Sequence, residues 1–69
     1  MNLQRLRRLI QLIGLLQAGS HNADGLALEC GVGRRTTFRD LETLREVGVP
    51  VRYDEVSRVY SLSGEYYIP

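Results

Sequence analysis

Lysine is absent from this chain: all nine basic residues are arginine. Arginine carries a rigid planar fork of donors that fits phosphate and guanine edges bidentately. A GC-rich coding sequence produces the same bias, and the formal net charge is only +1, so composition alone names no partner. Cysteine and histidine are represented once each, by Cys30 and His21. A single thiol closes no internal disulfide, and the pair cannot build a metal cluster, so no metal is expected. Cys30 lies in an apolar helical stretch and is expected as a small core residue. Long hydrophobic runs are also missing. The longest stretch of apolar or small residues is Leu12 to Leu16, far below the ~20 residues that span a membrane. The opening Met-Asn-Leu-Gln-Arg-Leu-Arg-Arg has no signal-peptide core or cleavage site. A cytoplasmic chain with no membrane partner is expected. Repeats, paired catalytic carboxylates, a nucleophile with its base and a phosphate-binding glycine loop are all lacking, so neither an enzyme nor a cofactor is expected. With 69 residues the chain is one small domain, too small to enclose a cofactor pocket as well as a full core.

What is present is a normal globular balance, 43% apolar and 25% charged. Leu6, Leu9, Ile10, Ile13 and Leu16 recur at three- and four-residue spacing and predict a first helix over Leu3 to Ala18. Gln4, Arg7, Arg8 and Gln11 fall opposite, while Leu12 and Leu15 widen the apolar stripe. Gly19 is its stop. Ser20, His21 and Asn22 form a polar connector, with Asn22 the expected N-cap of a second helix, Ala23 to Cys30, and Asp24 in its first turn. Leu26, Ala27 and Cys30 face inward there, and Leu28 is expected to be exposed. Gly31-Val32-Gly33 breaks the pattern before a third helix from Arg34 to about Val47, with Thr37, Leu41 and Leu44 as its core face. Gly48 and Pro50 end it. The period then switches to two: Val51 to Asp54 and Arg58 to Leu62 predict an antiparallel hairpin turning over Glu55, Val56 and Ser57. A lone hairpin is unstable in water, so it must pack on the helices.

The resulting fold class is mainly α with a small β-hairpin, a winged helix-turn-helix of three helices and a two-stranded wing. In a helix-turn-helix the second helix of the pair enters the major groove of DNA, its N-terminal residues at base edges. The third helix is charged to suit. Arg34, Arg35 and Arg39 crowd its first half with Thr36, Thr37 and Phe38, while Asp40, Glu42 and Glu46 fill its second half. The helix dipole favours the reverse order, by ~0.3–1 kcal/mol per charge. A phosphate at the helix start would offset that cost. Arg35 is the candidate for reading guanine in the major groove, and Thr36 for a thymine methyl or a phosphate. Arg34 and Arg39 are candidates for phosphates that set register. Arg58 on the hairpin would place a charge beside the minor groove or on flanking backbone. Arg5, Arg7 and Arg8 could add a phosphate contact near the start of the first helix. Arg7 and Arg8 also read as its solvated side, and Asp40 as the structural partner of a nearby arginine.

The residues that carry this pattern also resemble a family. Leu26-Ala27, the run from Cys30 through Arg34-Arg35-Thr36-Thr37-Phe38-Arg39-Asp40-Leu41 to Arg45, then Gly48-Val49-Pro50-Val51, Tyr53-Asp54 and Tyr60-Ser61-Leu62, look like the N-terminal domain of WYL-domain transcription regulators. These belong to a broad DeoR-like winged-helix group (HTH type 11). The resemblance covers Leu3 to Leu62, and its Arg-Arg-Thr-x-x-Arg-Asp-Leu core is fairly specific. It implies double-stranded DNA as partner, often bound by a homodimer, and a larger C-terminal WYL effector domain not contained in these residues. On that basis residues 1–62 form the DNA-binding domain, and 63–69, with Tyr66-Tyr67-Ile68-Pro69, begin a linker. Three positions depart from the pattern. Gly33 replaces a serine N-cap, Gly25 replaces an acidic residue, and Arg58-Val59 replaces the Gly-Gly of the wing tip.

The competing expectation is a winged helix used for protein contacts without DNA. It calls for apolar residues on the outward face of the third helix, where this sequence has Arg, Thr and Glu.

Overall fold

The computed structural model describes residues 1–64, so the stretch read as the start of a linker lies, from Glu65 on, outside the described residues. The chain order is α1 (Leu3–Ala18), α2 (Ala23–Cys30), α3 (Arg34–Glu46), β1 (Val51–Asp54) and β2 (Val59–Leu62). Each helix begins where the sequence can stop an alternative. Asn2 caps α1 by accepting the Arg5 amide at 2.7 Å, and Asn22 caps α2 by accepting the Gly25 amide at 2.8 Å. Gly19 and Gly31 close α1 and α2 in the left-handed region, both at φ 68°, where a residue with a Cβ would be strained. That turn at Gly31 reverses the chain within three residues and sets α3 against α2. Gly33 stands at the start of α3 with no side-chain cap.

The topology is that of a winged helix-turn-helix. β1 and β2 pair antiparallel with Val51 opposite Leu62 and Tyr53 opposite Tyr60. The wing is tied back to the connector between α1 and α2, and its base is closed by Ser63. The Tyr60 amide donates to the His21 carbonyl at 2.9 Å, so the connector before α2 forms a bridge to β2. Ser63 donates to the Pro50 carbonyl through both its amide (2.9 Å) and its hydroxyl (3.1 Å).

The core joins Leu9, Leu12, Ile13 and Leu16 of α1 to Leu26, Leu41, Leu44 and Val49. Leu16 and Leu26 are wholly buried, and each such leucine contributes ~1.5–3 kcal/mol of burial free energy. Cys30 is half-buried and packs against this cluster, and Leu28 is exposed.

Three expectations are corrected. Leu6 and Ile10 are exposed, and Leu12, at 1%, is a centre of the core. α1 is apolar around more than half its circumference, so both arcs satisfy the helical period. The arc taken is the one whose flank carries Arg5 and Arg8 to α3. The second correction is the wing turn, which runs over four residues, Glu55 to Arg58. Arg58 has left the strand and sits at φ 61°, with its amide donating to the Asp54 carbonyl at 2.7 Å. The third is the end of α3, at Glu46 rather than Val47.

Candidate nucleic-acid interface

α3 buries Thr37, Asp40, Leu41 and Leu44. That fixes which residues point away. Arg35, Arg39, Glu42 and Glu46 follow one another at four-, three- and four-residue steps along the opposite face, and all are exposed. Among the described residues no carboxylate lies within ion-pair reach of Arg35 or Arg39, whereas Glu42 meets Arg45 at 3.7 Å. The outward face therefore opens with two unneutralised guanidinium groups and closes with carboxylates. At its start the missing cap on Gly33 leaves backbone N–H groups of the first turn without a side-chain acceptor.

Two of the expected contacts do not belong to this face. Thr37 is 2% exposed, and its hydroxyl donates to the Gly33 carbonyl at 3.1 Å. It is a core residue, as its spacing with Leu41 and Leu44 requires, and cannot touch a ligand. Arg8, expected on the solvated side of α1 or at a phosphate, is instead turned onto α3. Its Nε and Nη2 donate to the two carboxylate oxygens of Asp40, the second bond at 3.1 Å. The hydrogen bond to Asp40 raises the already high pKa of Arg8. Arg5 joins the same cluster, donating to the Thr43 hydroxyl at 2.9 Å and lying 3.7 Å from Asp40. Asp40 is thus the partner of nearby arginines, but from α1, and it leaves the acidic half of the outward face. Arg7 remains exposed.

Thr36 is half-buried beside the arginine row. Arg34 and Phe38 work as a pair: the guanidinium sits over the ring, 5.4 Å from its centroid, a cation–π arrangement. Arg34 is also held by Asp24 of α2, Nε to Oδ1 at 3.3 Å. These residues border a cleft of about 440 Å³ whose far wall is the wing, with Tyr53, Arg58 and Tyr60. The two tyrosine rings lie 4.7 Å apart, tilted by 46°. The structure therefore brings Arg34 and Arg58, far apart in sequence, to one concavity beside the arginine row.

Sequence reasoning missed Asp24, Tyr53 and Tyr60 as members of this region. The tyrosines had a usable signal, because a hairpin centred near Val56 places them opposite each other. The Asp24–Arg34 pair had none, since it depends on how α2 crosses α3.

A second groove of about 300 Å³ runs along α1, past Arg7 and Gln11 to Cys30. Burial, reinforced by the charge of Asp40, pushes the Cys30 thiol up. A thiol that resists ionisation is a poor nucleophile.

No helix among the described residues is long and apolar enough to cross a membrane. No protein-family model, no curated protein and no solved structure matches the chain.

Proposed function

We propose that this chain binds double-stranded DNA, with α3 in the major groove and the β1–β2 hairpin as a wing on the flanking backbone, as the reading head of a transcription regulator of the WYL type that its residues resemble. One observation carries the reading: Arg35 and Arg39 stand on the outward face of α3, next to its uncapped start, with no carboxylate to neutralise them. When such a helix lies in the major groove, guanidinium groups in that position reach both base edges and phosphates of the duplex. Arg35, one turn nearer the start, reaches a base edge, while Arg39 and Arg34 hold phosphates and Thr36 a phosphate or a thymine methyl. Arg58 adds backbone contact from the wing.

The test is titration of a labelled mixed-sequence DNA duplex at two salt concentrations. Contacts to several phosphates weaken steeply as salt rises, by about 0.9 in log affinity per phosphate for each tenfold change in salt. A chain that binds no duplex even at low salt is a winged helix of the protein-contact kind, and the proposal fails.

A further inference from the structure

The cleft between α2, α3 and the wing is charged in an uneven way. Arg34 comes to it from α3 and Arg58 from the wing, while Asp24 of α2 is the carboxylate on its rim. The Asp24–Arg34 pair is open to water, its side chains 70% and 61% exposed. An ion pair that exposed is held weakly and exchanges readily for a better partner. A backbone phosphate is such a partner, since it offers arginine a bidentate acceptor and comes with the closely spaced charges of its neighbours along the duplex.

The wing turn supplies the independent observation. At φ 61°, Arg58 occupies a backbone region that suits glycine or asparagine. The turn does not depend on the arginine. Its hydrogen bonds are made by the Asp54 carboxylate, which accepts the Val56 amide at 2.9 Å and the Ser57 amide at 3.3 Å, and by the Arg58 amide, which any residue but proline provides. A smaller residue would keep these bonds, and the residue present brings a guanidinium group to the cleft.

We infer that this cleft is a phosphate seat, that Asp24 stands in for the phosphate by pairing with Arg34 in the free protein, and that a phosphodiester of the DNA backbone displaces it on binding. The inference rests on the DNA-binding reading above and adds to it a competing carboxylate. Asp24 limits affinity without touching base edges, so its effect is the same for every sequence. Tyr53 and Phe38 line the cleft beside the two arginines, and the Phe38 ring holds the Arg34 guanidinium in place from one side.

Three variants of the whole chain test this with a mixed-sequence duplex at low salt. Asp24→Asn removes the competitor from an exposed site and tightens duplex binding about two- to tenfold, equally for unrelated sequences. Arg58→Gly weakens binding about three- to tenfold and reduces the salt slope by about one, yet raises the melting temperature because the turn relaxes. Arg58→Lys keeps the strained backbone and the charge, and retains most of the affinity. A second arm titrates inorganic phosphate and follows the Nε–H resonances of Arg34 and Arg58 by NMR, separating a free phosphate from the DNA backbone as the source. Shifts in both side chains, larger in Asp24→Asn, support the seat. If the wild-type chain binds the duplex but Asp24→Asn does not tighten it, or Arg58→Gly does not loosen it, the seat is wrong and the DNA reading survives. If no duplex binds while phosphate still moves both arginines, the seat stands and the DNA reading falls.

Discussion

Arg8 of α1 grips Asp40 of α3 with two hydrogen bonds, one to each carboxylate oxygen, beside the bond from Arg5 of α1 to Thr43 of α3. Asp40 is 2% exposed and Arg8 22%. The carboxylate is therefore the member that cannot escape to water. Removing one partner of such a pair leaves the other buried and uncompensated, which costs more than the pair itself contributes.

Arg8→Ala is accordingly expected to destabilise the fold by about 2–4 kcal/mol, moderated by Arg5, which lies close enough to Asp40 to take up part of the charge. Asp40→Ala is milder, because Arg8 can swing outward. The double variant Arg8→Met with Asp40→Leu replaces the pair by packing and recovers most of the loss. Urea denaturation of the three chains reads these differences. A stability of Arg8→Ala within about 0.5 kcal/mol of the parent means the pair holds nothing.

Gly14 sits in the middle of α1, and a Cβ built there meets nothing within 4 Å. The residue is helical, so the glycine serves neither a turn nor a close approach. Gly14→Ala is expected to stabilise the chain by about 0.5–1 kcal/mol through the entropy of the unfolded backbone. Thermal unfolding checks this. A lower melting temperature would mean that another surface approaches α1 at this point in solution.

Asp54 sits at the start of the wing turn, and its carboxyl pKa lies below the ordinary 3.8 because the Val56 and Ser57 amides donate to the charged form. A carboxylate whose pKa is lower folded than unfolded stabilises the fold above its unfolded value. That contribution is complete at neutral pH and is lost as the pH falls from the ordinary aspartate range through the lowered folded value. Asp54→Asn keeps an acceptor for the two amides but cannot titrate. It is expected to flatten the dependence of stability on pH below about pH 4 while leaving the hairpin register intact. Following the Asp54 carboxyl carbon by NMR gives the folded value directly. A midpoint at or above the ordinary value contradicts the turn geometry.

Much of this fold was legible in the sequence, for local reasons. The capping Asn22 and the glycines after α1 and α2, Gly19 and Gly31, act within one turn of themselves, so α1 and α2 have the bounds their residues indicate; the Asn2 cap of α1 acts as locally but went unread. The arginine row was legible for the same reason: Thr37, Leu41 and Leu44 at four- and three-residue steps name the inward face of α3, and Arg35 and Arg39 must then point out. Thr37 itself fits both the core pattern and the run of polar residues next to the arginines, and only burial separates them. What could not be read depends on packing between elements. The arc of α1 that is buried, and with it the exposure of Leu6 and Ile10, follows from how α2 and β2 pack against it. The Arg8–Asp40 contact spans 32 residues of sequence and has the same origin. The left-handed Arg58 escaped because an arginine beside valine reads as the beginning of a strand.

The division of labour along α3 gives the sharpest test of the proposed function. Arg35 and Arg39 are both exposed and unpaired, so they differ only in position, and position decides what each can reach. In a helix entering the groove by its N-terminal end, the residue nearer that end meets base edges and the one a turn later meets the backbone. Arg35→Ala is expected to relax the preference at one base pair, with a loss of about 1–3 kcal/mol confined to the preferred base. Arg39→Ala is expected to weaken every sequence alike and to reduce the salt slope by about one. Selection from a randomised duplex pool with each variant separates the two outcomes. If the enriched sequence stays the same for Arg35→Ala but changes for Arg39→Ala, α3 enters the groove the other way round. If neither variant alters affinity, the outward arginines are not the contact surface, and DNA must be sought on another face or not at all.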